Sequence, residues 1–220
     1  NASEDGDGTL DKPFRTIQEA VNEAIDDNSD GSKKFKILLQ STVEDPSTVS
    51  YDSANNSSFV NIDPTNDLTL EIASYGENSF TINANKSDEN SGRVMYIGQK
   101  ANVTLRNVNI EGGNLANGNG GAIYCSGTLN LVNSTISESN ANNGGGIYIE
   151  DGTLTIGECA IIKENATHID DQNNYGGGIF VKNSNFIMEG GTIEENYAGD
   201  GGAGIHLENV SPTITKGNIR

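Results

Sequence analysis

The chain has 220 residues, of which 34% are hydrophobic and 27 are glycine, and it lacks tryptophan. This composition excludes a thick conventional core but suits a narrow core inside a repeatedly turned backbone. With 31 acidic against 13 basic residues the formal charge is −18, and nucleic acid or an anionic membrane surface would repel such a polyanion. We therefore expect no nucleic-acid partner, and an extracellular or cell-surface location.

The polar and acidic first residues, 1–11, lack the features of a signal peptide, so we expect that a secretion signal has been removed or left out. No apolar run approaches the roughly 18 residues that a membrane span needs. Cys125 falls on a predicted strand and Cys159 near a turn, a placement that does not pair them. Both are interpreted as buried small hydrophobic residues.

One amphipathic helix is predicted near the N-terminus. Thr16 and Glu19 have the spacing of a capping box, and apolar residues follow with helical periodicity. The helix should end between residues 28 and 31, so that residues 1–34 form an N-terminal cap.

Short β-branched runs between glycine and asparagine follow the helix and predict strands at 35–39, 59–62, 68–72 and 80–82. From residue 94 the pattern repeats every 24 to 32 residues, marked by Tyr96, Tyr124, Tyr148, Phe180 and His206. Two further strands follow each marker, at 103–106 and 108–110 in the first copy. Such repeats predict an all-β fold, a right-handed parallel β-helix with three short strands per coil and about six or seven coils over residues 35–220.

Recurrent glycine pairs and asparagines are assigned to the scaffold. Glycine before the first strand of a coil permits positive φ and close approach of stacked backbones. Asn114, Asn140, Asn165 and Asn196 recur after the third strand, where we expect stacked side-chain amides.

The repeats resemble those of the polymorphic outer membrane proteins. Gly-Gly-Ala-Ile at 120–123 is similar to that family's GGAI motif, and Gly-Gly-Gly-Ile follows at 144–147 and 176–179. The partner motif FxxN is matched with isoleucine in place of phenylalanine at 162–165 and 193–196. At 136–140 the spacing to asparagine is one residue longer. The segment 8–20 resembles the entry to many right-handed β-helices, including pectate lyase-like ones.

The resemblance implies an adhesin or passenger segment displayed outside the cell, a family in which a membrane-anchoring module often follows. Residues 217–220 align with the middle of a repeat, so we expect a fragment that continues into further β-helix coils of the same chain.

The markers of each repeat form the candidate ligand site. Strand alternation places Tyr96, Tyr124, Tyr148, Phe180 and His206 on the outer face, opposite inward aliphatic residues. Exposed rings of this kind would stack on sugars or anchor a protein partner. The alternative is that the rings stack on one another and stabilise the sheet.

No catalytic residues are predicted. A β-helix polysaccharide lyase needs a basic residue beside calcium-binding carboxylates, and arginine occurs only at 15, 93, 106 and 220. Asp5, Asp7 and Asp11 alternate with glycines in a spacing that suits Ca²⁺, the one cofactor considered, although the closing acid of an EF-hand is missing. His168 lacks a second nitrogen or sulfur ligand nearby in the sequence.

These observations predict a non-catalytic cell-surface or secreted segment that binds an extracellular glycan or surface protein, or acts as a stalk. The alternative is part of a carbohydrate-active β-helix enzyme, either a polysaccharide lyase or a glycoside hydrolase.

Overall fold

The computed structural model describes residues 6–44, 58–84, 92–168 and 173–220. Within them the chain forms a parallel β-solenoid of about five turns, fewer than the repeats predict, with one helix at its N-terminal end. Strands are numbered β1 to β20 in chain order.

The predicted N-terminal helix is confirmed as α1, Ile17–Asp27. The Thr16 hydroxyl accepts a hydrogen bond from the Glu19 amide at 3.1 Å, and the Glu19 carboxylate accepts one from the Thr16 amide at 3.3 Å. Its apolar side buries Ile17, Val21 and Ala24. The helix contacts β1 and β3, the first strands of two stacks, and therefore lies at that end of the solenoid.

Equivalent strands of successive coils pair in parallel and form stacks, which we call columns. The first column contains β3 (Ser58–Ile62), β6 (Arg93–Ile97), β9 (Ile123–Cys125), β13 (Ile147–Glu150), β17 (Ile179–Lys182) and β19 (Ile205–Glu208). The second contains β1 (Lys34–Leu39), β4 (Leu68–Ser74), β7 (Ala101–Arg106), β10 (Thr128–Val132), β14 (Thr153–Ile156), β18 (Asn185–Glu194) and β20 (Thr213–Ile219). The third contains β2 (Val43–Glu44), β5 (Phe80–Asn83), β8 (Val108–Glu111), β11 (Thr135–Ser137), β15 (Ile161–Lys163) and the second half of β18.

The predicted strands and their alignment between repeats are confirmed by this pairing. A further short pair, β12 (Asn140–Ala141) with β16 (Ala166–Thr167), lies between the third column and the next coil. Right-handed winding and a uniform three strands per coil stay predictions.

A narrow core runs through the middle of the coils, as the composition predicts. Inward residues of the same register, such as Ile123, Ile147 and Ile179, are fully buried. Because each strand hydrogen-bonds to the coils on either side, the core is a column of aliphatic layers about 4.8 Å apart.

The glycine pairs have the expected steric role. Gly120, Gly144 and Gly176 have φ of 72°, 59° and 69°, a region that other residues seldom adopt. The next glycine in each pair faces the backbone of the following coil: a Cβ on Gly145 would lie 2.0 Å from the Ala166 carbonyl oxygen. One position therefore needs glycine for its φ and the other for space.

A ladder of polar side chains fills the corner after the third column. Ser139, Asn165 and Asn196 form this corner ladder, and each accepts a hydrogen bond from a backbone amide of the preceding coil, at 3.1, 3.2 and 3.0 Å. The sequence predicts that Asn114 and Asn140 belong to this ladder, but they lie one residue further along the chain. Their backbones pair with each other there as an isolated parallel β-bridge. In the coil where the spacing from isoleucine to asparagine is one residue longer, at 136–140, the ladder position is therefore occupied by Ser139, and in the next two coils it is occupied by asparagine.

Candidate functional site

The predicted column of aromatic residues exists as one continuous stack on the first column, which we call the aromatic stack. Tyr96, Tyr124, Tyr148, Phe180 and His206 lie in register. The ring centroids of successive members are 5.5, 5.3, 5.1 and 4.7 Å apart, with interplanar angles of 16° to 29°. These are the offset-stacked distances at which aromatic pairs attract each other.

Burial of the stack contradicts the prediction that flat aromatic faces are open to a ligand. The exposed fraction is 9% for Tyr96 and 5% for both Tyr148 and Phe180, while Tyr124 and His206 are intermediate. Tyr124, Tyr148 and Phe180 each have a ring against both faces, so sugars cannot stack on them. Ligand binding by these residues stays a prediction that is restricted to their exposed edges.

Charged groups line the outer edge of the aromatic stack. The Tyr124 hydroxyl donates to Glu150 Oε2 at 3.4 Å, and Lys182 pairs with Glu150 at 3.0 Å. Burial, with Glu150 nearby, raises the pKa of Tyr124 to about 12 and raises that of Tyr148 as well. Both tyrosines are therefore neutral hydrogen-bond donors at physiological pH.

Arg93 lies on the first column but has no ion-pair partner among the described residues. Its side chain is buried and donates to the carbonyls of Gly120 at 3.1 Å and Asn119 at 2.9 Å, while Nη1 has no partner within the described ranges. The guanidinium carbon lies 5.2 Å from the centre of the Tyr124 ring, and burial lowers the pKa of Arg93 to about 10. The guanidinium thus packs on a ring rather than beside the carboxylates that a lyase site requires.

A shallow polar groove lies at the corner between the first and second columns, and sequence reasoning missed it. Its volume is about 290 Å³. Four successive coils supply its lining: Gln99; Ser126, Gly127 and Thr128; Asp151, Gly152 and Thr153; Asn183 and Asn185. We call this feature the polar groove.

Strand register and glycine create the polar groove. Thr128, Thr153 and Asn185 are paired neighbours in the second column, so their side chains form one wall. Gly127 and Gly152 precede two of them, and a Cβ on either would lie 2.3 Å from a carbonyl oxygen of the preceding coil. The repeated Gly-Thr-Leu at 127–129 and 152–154 is the sequence signal that marks this feature.

Side chains of the polar groove retain unused hydrogen-bonding capacity. Gln99 is exposed and its amide has no protein partner among the described residues. Within the described residues, the Thr153 hydroxyl accepts only a 3.4 Å bond from Asn185. Asn183 Oδ1 accepts from Asn209 at 3.0 Å, and the Asn183 amino group has no partner in that part of the chain.

The predicted calcium ligands lie before the helix. Asp5 is outside the described residues. Asp7 Oδ1 accepts from both the amide and the hydroxyl of Thr9, at 3.1 and 2.7 Å, which lowers the pKa of Asp7 and favours a closed turn. The part of the chain that the structure describes has no group of three histidine, cysteine or acidic residues placed to hold a metal ion. A calcium site on Asp5, Asp7 and Asp11 stays a prediction.

His168 is committed to the scaffold. Its Nε2 lies 2.6 Å from the Leu115 carbonyl and its Nδ1 lies 3.1 Å from the Asn140 amino group. In this arrangement Nε2 donates to the Leu115 carbonyl and Nδ1 accepts from the Asn140 amino group. Both nitrogens are thereby occupied.

The cysteines are both free, and one prediction about them is wrong. Cys125 is buried as expected, and burial raises the pKa of its thiol to about 12. Cys159 is exposed, because it occupies a turn position with φ of 56° rather than an inward strand position.

Within the described ranges, no helix has the length and apolar character to cross a bilayer. Comparison with models of protein families, with curated proteins and with solved structures found no match for this chain.

Proposed function

We propose that this chain is a non-catalytic segment of a cell-surface or secreted protein, of the adhesin or passenger type, that binds a glycan or a protein through the side of its solenoid. The supporting observation is the polar groove, in which four coils present amide and hydroxyl groups that keep hydrogen-bonding capacity beyond their bonds within the described residues. Thr128, Thr153 and Asn185 belong to paired strands, so the backbone that carries these side chains is ordered before a ligand arrives.

The aromatic stack supports the same proposal in a different way. Its rings pack against one another and are mostly buried, so it does not offer a platform on which sugars stack. It instead makes the face beside the polar groove rigid. A rigid lateral surface suits both a stalk and a recognition site.

A glycan array and a panel of immobilised surface proteins test the proposal. The groove variant Thr153→Val with Asn183→Ala removes polar groups, and we expect it to lose most of the binding. The matched control is Thr155→Val with Asn130→Ala, which alters two residues of the second column that are register partners outside the polar groove. If groove variant and control bind equally, the groove is not the recognition surface.

The carbohydrate-active alternative makes a different prediction. Incubation with polysaccharides would then release new reducing or unsaturated ends. Binding without any such release supports the non-catalytic proposal, and measurable cleavage by the purified chain overturns it.

A further inference from the structure

We infer that the polar groove binds a neutral, linear polysaccharide that lies parallel to the solenoid axis. This inference rests on the proposed function and adds the class of ligand, its charge and its direction.

The direction follows from which coils build the groove. Gln99, Thr128, Thr153 and Asn185 come from four consecutive coils, and the last three are in-register neighbours. Coils are about 4.8 Å apart, so the lining extends about 14 Å along the axis. Amide or hydroxyl groups therefore recur at each step of about 4.8 Å from one coil to the next. A polymer with repeating hydroxyls satisfies them in succession, whereas a compact ligand meets only one or two coils.

The shape of the groove supports an extended occupant. Gly127 and Gly152 leave the floor without side chains, and carbonyl oxygens 2.3 Å from the position of a Cβ exclude larger residues there. Asp151 and Asn183 contribute to the lining from turns, and Thr153 and Asn185 contribute as paired residues of the second column. The result is an open groove that runs along the solenoid axis from coil to coil, rather than an enclosed pocket.

The charge of the groove selects a neutral ligand. Asp151 is the one acidic side chain in the lining, and it is exposed. Lys182, on the neighbouring strand, is already paired with Glu150 at 3.0 Å. A chain of formal charge −18 also repels acidic polymers at long range. Uronic-acid and sulfated polysaccharides are therefore disfavoured.

The polar groups in the lining suit sugar hydroxyls. Amides such as Gln99 and Asn183 donate and accept, and the hydroxyls of Thr128 and Thr153 do both. The lining contains no aromatic ring, so binding relies on hydrogen bonds alone and should be weak for a monosaccharide. Affinity should rise with oligomer length until the ligand spans the four coils.

Isothermal titration of this chain with linear, uncharged gluco-oligosaccharides and manno-oligosaccharides, from disaccharide to octasaccharide, tests the inference, with polygalacturonate as the acidic comparison. We expect affinity to increase with length, to level off, and to change little with salt. Thr153→Val and Asn183→Ala should each weaken the binding of a long oligomer by about fivefold to tenfold. Thr155→Val should leave it unchanged.

Asp151→Asn separates a neutral from a cationic ligand because it removes the negative charge from the lining. The fold should be unaffected, since asparagine tolerates the positive φ of 57° at this position. Retained binding supports the inference, and loss of binding contradicts it. Selective binding of polygalacturonate, or of a protein from the panel, would overturn the neutral polysaccharide while leaving the proposed binding function intact. Absence of binding to every glycan and protein tested would overturn both.

Discussion

At the scale of single residues, the corner ladder and the glycines beside it are matched in size. Asn165 faces Gly146 and Asn196 faces Gly178, where a Cβ would lie 3.0 and 2.9 Å from the amide carbon. One coil earlier, where the ladder residue is the smaller Ser139, the position equivalent to Gly146 is Ala122. The difference between Gly-Gly-Ala-Ile and Gly-Gly-Gly-Ile therefore follows the volume of the corner side chain.

This match predicts a compensating pair. Gly146→Ala should destabilise the protein by about 1–3 kcal/mol because the new methyl overlaps the Asn165 amide and a backbone carbonyl. Adding Asn165→Ser recreates the Ala122 and Ser139 pair, so the double variant should lose less stability than the two single losses combined. Urea unfolding of all four proteins measures the coupling. Strict additivity would show that the two positions do not sense each other.

Asn165 is also expected to be a strong determinant of stability. It is 1% exposed, and its amino group donates to the carbonyls of Ile136 and Lys163 at 3.0 and 2.9 Å while its oxygen accepts from Ser139. Asn165→Ala leaves these buried groups unpaired, which should cost about 2–4 kcal/mol. Asn130→Ala, at a partly exposed surface position, is the control. Equal unfolding midpoints for the two variants would contradict this role.

At the scale of elements, the aromatic stack should stabilise the first column. Tyr148 lies between Tyr124 and Phe180, with ring centroids 5.3 and 5.1 Å away. Tyr148→Ala removes both contacts and leaves a gap, which should lower the free energy of unfolding by about 3–5 kcal/mol. Tyr148→Phe keeps the ring and should cost much less. Chemical denaturation followed by circular dichroism compares them, and similar losses would mean that the hydroxyl rather than stacking matters.

The same element predicts sensitivity to alkali. Burial raises the pKa of Tyr124 from 10.0 to about 12, so the neutral form is favoured in the folded protein. Its contribution to stability is present below pH 10 and is lost as the pH rises through 12. A spectrophotometric titration should show late phenolate formation by Tyr124 and Tyr148, and Tyr124→Phe should remove the Tyr124 share of it. Ionisation of this residue near pH 10 without unfolding would refute the expectation.

At the scale of the whole molecule, the formal charge of −18 should make the fold more stable in salt. Ion pairs such as Lys36 with Glu71 lie at the surface, where screening removes little stabilisation. Repulsion among the excess carboxylates acts over longer distances and is screened at about 0.5 M monovalent salt. The urea midpoint should therefore increase with sodium chloride, and potassium chloride should act alike. A decrease would show that attractive pairs outweigh the repulsion.

The fold could be predicted from the sequence because its signals are local and repeated. The Thr16 and Glu19 capping box and the inward isoleucines each specify structure within a few residues, and recurrence aligned the columns. The sequence leaves open whether the aromatic side chains stack on one another or bind a ligand, because alternation indicates the outer side of a strand but not what covers it. The polar groove depends on side chains 25 to 86 residues apart in the chain, so only the stacked structure brings them together.

The corner ladder has a consequence for synthesis of the chain. The backbone amides of Gly113, Ser139 and Asn165 are each satisfied by a side chain that comes 26 to 31 residues later. Translation proceeds at about 5–20 residues per second, so each corner waits roughly 1–6 seconds for its partner. A coil that emerges from the ribosome is thus completed only by the coil that follows it. The growing solenoid should therefore always carry one incomplete coil at its C-terminal end, next to the ribosome.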